Sequence, residues 1–216
     1  MRRVRRPILL SAVLLLLVTA QAQAAYTYSI SKITPPVKKR MNGASWHKGC
    51  PVSLADLRYV RVRYWDFDHR QRTGELVVNR DAAGAIVRVF RQLYANGYRI
   101  RRMRLVDDYG ASDFRSIEAD NTSAFNCRFV DGTTRWSNHA FGRAIDVNPI
   151  ENPYVTSSGT TSHRASRKYV DRSSRRHRAM ILAGDRTVRA FRAQGWGWGG
   201  NFSGYKDWQH FSSDGR

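Results

Sequence analysis

The segment Ser137–Pro149 reads SNHAFGRAIDVNP. Its second half, Ala144–Asn148, alternates in character. Ile145 and Val147 fall on one face of an extended chain, and Ala144, Asp146 and Asn148 on the other. A strand is expected there, with an aspartate beside a small residue on one side and two apolar side chains for a core on the other. His139 stands seven residues before that aspartate, and Gly142 between them allows a turn that a β-carbon would hinder. The spacing therefore suits a histidine delivered from a loop and an aspartate delivered from the strand that follows.

Those two side chains are candidate metal ligands, and a third donor is needed. His210, in the terminal stretch DWQHF (Asp207–Phe211), is the best placed by type. Two histidines and an aspartate, with one position left open, make the usual protein share of a catalytic zinc centre. Hydrolysis at such a centre also calls for a base. The chain has only three glutamates, Glu75, Glu118 and Glu151, and none adjoins a candidate ligand. Asp207 is then the natural base. Residues three apart in a strand face opposite ways, so Asp207 and His210 can work together only if the chain turns between them. The remaining histidines, His47, His69, His163 and His177, are expected to serve solvent or structure.

Outward from these motifs the chain alternates strands and helices in mixed order. Leu57–Phe67 and Gly74–Asn79 read as a hairpin, and Asp81–Asn96 as a helix with Ile86, Val89, Phe90 and Leu93 on one side. Ile100–Val106 and Phe125–Val130 read as further strands, and residues 107–122 as a loop with a short helix. Pro149 to Arg178 is a long basic loop rich in serine and threonine. Asp185 is placed to cap a helix running to Gln194, and the glycine-rich ending suggests two short strands. With no regular strand–helix alternation, the expected class is α+β: a small antiparallel sheet with flanking helices.

The start has another character. Arg2, Arg3, Arg5 and Arg6 precede an apolar run from Ile8 to Ala20, with small residues at Ala20, Ala22 and Ala24. This is the pattern of a cleaved export signal, residues 1–24. A run of about 13 apolar residues is short for a bilayer span, although an uncleaved anchor is the alternative. Residues 25–49, with Pro35-Pro36, are expected to be an irregular lead-in, and residues 50–216 to form one domain. No transmembrane span is expected after signal cleavage. Cys50 and Cys127 are an even pair; in an oxidising compartment a disulfide is favoured over two buried thiols. It would close a loop of about 77 residues, worth on the order of 4 kcal/mol on the chain-entropy model.

The chain of 216 residues carries a formal charge of +20, mostly arginine. Such a surface suits an anionic partner (wall polymer, a membrane surface or nucleic acid), and charge alone does not choose among them; no specific nucleic acid is expected.

The residues Ser137, His139, Gly142, Ala144 and Asp146 fill every fixed position of the pattern SxHxxGxAxD, and the ending supplies WGG followed by DxxHF. Together these resemble the zinc peptidases of the D-alanyl-D-alanine carboxypeptidase and L-alanyl-D-glutamate endopeptidase type, which share a hedgehog-like α+β fold and cut peptidoglycan stem peptides. The resemblance is firm from about Phe125 onward and looser back to Cys50. It implies Zn2+ held by His139, Asp146 and His210, with Asp207 as catalytic acid/base and Ser137 as a substrate contact. Relatives carry an arginine upstream that holds substrate. Here Arg128 and Arg115 compete for that role, and Arg128 is preferred because it closely precedes the metal segment. The resemblance further implies an exported protein of the cell wall or periplasm, acting on peptidoglycan and drawn to anionic wall polymer. The ending favours the endopeptidases slightly. A wall-binding module that keeps the zinc site without turnover is the alternative.

Overall fold

The computed structural model describes residues 25–173 and 176–215; the export signal expected at residues 1–24 lies outside them. In chain order the elements are β1 (Tyr28–Lys32), α1 (Pro35–Met41), β2 (Leu57–Trp65), β3 (Gln71–Asn79), α2 (Ala83–Ala95), β4 (Arg102–Met103) and α3 (Asp113–Glu118), followed by β5 (Asn121–Thr122), β6 (Ala144–Asp146), β7 (Tyr154–Val155), α4 (Arg186–Arg192), β8 (Gly197–Trp198), β9 (Lys206–Asp207) and β10 (His210–Ser212). The class is α+β, as the sequence predicts. Its strands are shared among two three-stranded antiparallel sheets, β1-β2-β3 and β6-β10-β8, and two ribbons, β7-β9 antiparallel and β4-β5 parallel.

In the larger sheet the strands β2 and β3 bury side chains on both faces. Val60, Val62, Leu76 and Val78 point into the main core, where they meet Ile86, Val89, Phe90 and Leu93 of α2. Ile145, Val147, Phe191, Trp198 and Phe211 complete that core, so one apolar cluster ties the larger sheet to the smaller one. Leu57 and Val77 face the other way and are covered by Val37 and Met41 of α1, with Phe125 and Cys127 alongside. Each such side chain contributes about 1.5–3 kcal/mol when fully buried.

Residues 25–49 are therefore not an irregular lead-in. β1 pairs with β2 from Tyr28↔Val62 to Lys32↔Arg58, and α1 covers the sheet. Pro35 and Pro36 read as a break in the sequence, yet they occupy the first two helical positions. There a proline loses no helical hydrogen bond, and its fixed φ starts the helix.

Two expected strands shrink. Of Ile100–Val106 only Arg102–Met103 pairs, in parallel with β5. Phe125–Val130 forms no ladder, because its amides go to separate places: Phe125 N to Val77 O, Asn126 N to His139 O and Cys127 N to Ser45 O. The segment is a hub, and the disulfide Cys50–Cys127 fastens it to the N-terminal region. The long basic loop is anchored at its base. The Asn152 amide donates to Ala179 O at 2.9 Å and accepts from Ile181 N at 2.7 Å, so one side chain clasps both ends of the excursion. Among the described residues no helix is long and apolar enough to cross a membrane.

Candidate metal centre and its cleft

Two motifs 64 residues apart meet through a short ladder. β10 runs antiparallel to β6 with His210 opposite Asp146, Phe211 opposite Ile145 and Ser212 opposite Ala144. The alternation read from the sequence is what aims them. Ile145 and Phe211 are fully buried on the core side, with Phe211 stacked on Phe191 at 3.8 Å between ring centroids. Asp146 and His210 are left on the other face.

His139 arrives on a 3-10 turn, Asn138–Phe141. Ser137 caps it, its Oγ accepting from the His139 amide at 3.3 Å. Gly142 ends it with φ of +65°, and its carbonyl accepts from Asn79 N at 2.8 Å, which pins the turn to the end of β3. A β-carbon on Gly142 would stand 2.6 Å from Asn79 N. The glycine of the motif is thus required by both its conformation and its neighbour.

The ligand atoms of His139, Asp146 and His210 all lie within 4.8 Å of one another, and all three residues are buried. His139 Nδ1 donates to the Ala124 carbonyl at 2.5 Å. That contact fixes the tautomer and leaves Nε2 with its lone pair free. Nε2 lies 3.1 Å from Asp146 Oδ2, outside hydrogen-bonding geometry and with no other partner. His210 Nδ1 lies 3.1 Å from Asp146 Oδ1. A buried imidazole nitrogen without a hydrogen bond, facing a carboxylate and a second imidazole, fits a shared cation better than a hydrogen-bond network. Two donors at zinc-ligand distance of about 2.1 Å stand roughly 3.4 Å apart around a tetrahedral ion, so the spacing fits. Burial opposes the charge on Asp146, but the two imidazoles outweigh it and hold its carboxyl far below the usual range. The other cluster of metal-ligand types, His47, Cys50 and Cys127, has its thiols in the disulfide.

Asp207 reaches the same place by the turn the sequence demanded. β9 ends at Asp207, Trp208 and Gln209 form a turn, and β10 begins at His210. Gly199 makes room, since a β-carbon there would strike the Asp207 carbonyl. Asp207 Oδ1 is buried without a hydrogen-bond partner. Burial pushes the carboxyl up to about 6; the charge of Asp146 adds to this, while His210, a hydrogen bond from Gln209 and His139 oppose it.

His139, Asp146, Asp207 and His210 lie in a cleft of ≈ 920 Å³ that also takes in Ser137 and Arg128. Arg128 donates from Nη2 to Asp113 Oδ2 at 2.8 Å and from Nη1 to its neighbour's carbonyl, Phe129 O, at 3.2 Å. Its rival Arg115 is turned to Tyr109 O and is not among the residues lining the cleft. Sequence reasoning missed other cleft residues. Tyr154 is the β7 partner of Asp207. His163, which the sequence consigned to solvent or structure, lines the cleft with its Nδ1 on Glu118 Oε1 at 2.6 Å. No spacing signal links residues that meet only through loops.

A histidine–aspartate–histidine cluster beside a lone carboxylate in an open cleft has the make-up of a metallohydrolase centre. Residues 131–213 match the family model described as D-alanyl-D-alanine carboxypeptidase. The resemblance to zinc peptidases of this family is borne out over that span, which contains Ser137, His139, Asp146, Asp207 and His210 but not Arg128. No curated protein and no solved structure matches the chain.

Proposed function

We propose that the protein is an exported zinc peptidase that hydrolyses peptide bonds in peptidoglycan stem peptides. The observation that carries the reading is the convergence of three buried donors, one of them an imidazole nitrogen with no hydrogen bond, beside Asp207. His139, Asp146 and His210 would hold the ion, which supplies Lewis acidity to a water nucleophile and to the scissile carbonyl. Asp207 accepts the proton of the attacking water and returns it to the leaving amine. Burial pushes this carboxyl up and a bound dication would draw it back, so it stays ionised near neutral pH while keeping some basicity. Arg128 binds a substrate carboxylate or the developing oxyanion, with Asp113 fixing its fork. Ser137 holds the turn that carries His139 and faces substrate from the cleft wall.

Export is supported by the leader sequence and by the Cys50–Cys127 bridge, a feature of oxidising compartments. The charge of +20 would hold the enzyme on anionic wall polymer. Between the two activities we favour cleavage of L-alanyl-D-glutamate, on the resemblance of the WGG…DWQHF ending; the matched family is described by its carboxypeptidases. Mass spectrometry of wall peptide fragments incubated with the mature protein, with zinc, with chelator and as Asp207→Ala, tests the proposal. A new D-glutamate amino terminus supports the endopeptidase, and release of D-alanine the carboxypeptidase. Absence of any product from the zinc-loaded parent would leave a wall-binding module in its place.

A further inference from the structure

α3 has six residues, and an acid at each end holds a side chain that lines the cleft. Asp113, its first residue, accepts from Arg128 Nη2 at 2.8 Å. Glu118, its last, faces His163 Nδ1 at 2.6 Å. His163 comes from the long basic loop, yet it is only 8 % exposed and its ring lies on Phe114 of the same helix, 4.8 Å between centroids. Arg128 and His163 both line the cleft, together with Asp113, Phe114 and Ile117 of α3.

We infer that His163, positioned by Glu118, is a second recognition point of the cleft and binds a carboxylate of the peptide substrate. The inference rests on the peptidase reading and deepens it by naming what the far part of the cleft reads. Nδ1 is committed to Glu118, and no other side-chain hydrogen bond of His163 is present among the described residues, so Nε2 is the atom left for a ligand. With a proton on Nε2 the ring offers a charge-assisted donor, and the Glu118 carboxylate balances its charge. The cleft therefore offers a peptide two points for carboxylates, one at Arg128 and one at His163. A γ-linked D-glutamate, whose α-carboxylate stays free, has the right chemistry for either point.

The test uses two synthetic stem peptides, identical except that one of the two carboxylates is an amide in the second, assayed with the zinc-loaded parent, His163→Gln and Glu118→Gln. For the carboxylate that His163 reads, the parent prefers the acid by roughly 10-fold in KM, the range expected of one hydrogen bond to a charged group. His163→Gln brings that preference close to one. Glu118→Gln, at a half-exposed position that the fold tolerates, lowers it part of the way because its amide oxygen still accepts from Nδ1. Equal losses on acid and amide in His163→Gln would make the pair a structural clasp and overturn the inference, as would a preference that survives the substitution. If the parent cleaves neither peptide, the peptidase reading fails separately. Calorimetry of the same two peptides on parent and His163→Gln then still reads the carboxylate preference.

Discussion

Gly142→Ala is the substitution that the geometry prices most directly. At φ of +65° an alanine pays about 1–2 kcal/mol for left-handed backbone. Its β-carbon would also stand 2.6 Å from Asn79 N and 3.0 Å from Val78 C. These are backbone atoms of β3 that cannot swing aside, and Asn79 N already donates to Gly142 O at 2.8 Å. Overpacking of this kind adds about 1–3 kcal/mol, so the expected loss is about 2–5 kcal/mol. Gly97 supplies the control: its φ is +66°, and nothing lies within 4 Å of where its β-carbon would be. Gly97→Ala should cost the backbone part alone, about 1–2 kcal/mol. Urea unfolding of both variants without metal measures the difference. The clash can relax only by moving β3 or the turn that carries His139, since Gly142 N donates to His139 O at 3.0 Å. Zinc affinity, read by competition with a chelating dye, should therefore drop roughly 10–100-fold in Gly142→Ala, as losses of ligand support do, and stay at the parental value in Gly97→Ala. Equal destabilisation of the two variants would refute the clash. Parental zinc affinity in a destabilised Gly142→Ala would refute the link between this contact and the metal ligands.

Replacing both Cys50 and Cys127 by serine opens a loop of 77 residues, and the chain-entropy relation puts the loss at about 4.5 kcal/mol; a change below about 1 kcal/mol in urea midpoint analysis would contradict it. The pH profile of kcat/KM should fall on the acid side as Asp207 protonates. Its carboxyl is pushed up to about 6 by burial and by Asp146, and a bound dication draws it back toward the ordinary value of about 4. The limb belongs between those limits, and one above pH 7 would point to another group. Glu151 is pushed up to about 8 by burial and by the neighbouring Asp120. The folded state then keeps a proton that the unfolded chain releases near the ordinary glutamate value of 4.5. This stabilisation is complete below that value and is lost as pH rises through about 8, a few kcal/mol in all. Glu151→Gln should flatten stability over that window, and an unchanged slope in urea titrations across it would count against the raised Glu151 carboxyl.

The directions of Asp146 and His210 were legible because each sits in a local pattern that fixes them. Asp146 faces away from Ile145 and Val147, and His210 away from Phe211, so core formation alone turns both to the cleft. The helix α2 was legible for a similar reason, since its apolar positions recur on one face. α1 was not: Pro35 and Pro36 look the same in a helix start as in a loop, and only the bare face of the β1-β2-β3 sheet tells them apart. Phe125–Val130 has the composition of a strand, but β-branched and aromatic content records a half-buried surface rather than a ladder. Its amides found three different acceptors.

Residues that act through another chain segment had no such signal. Arg128 could be ranked above Arg115 only by its nearness to the metal segment, whereas what sets it apart in the fold is Asp113, 15 residues away on α3. The same helix hides the role of Glu118, whose partner His163 is 45 residues distant on a loop with no periodicity to read. The two kinds of residue also answer to different pressures. Asp146 and His210, registered by β6 and β10, are held by the main core, so changes that spare the core should spare them. Arg128 and His163 are held by Asp113 and Glu118, at the two ends of a six-residue helix. The acid of each pair is partly exposed, so the side chains they position can be shifted by loop substitutions that leave the main core intact. Preference among peptides is therefore expected to vary more readily than the hydrolytic chemistry itself, with α3 and the loop carrying His163 as the places where it changes.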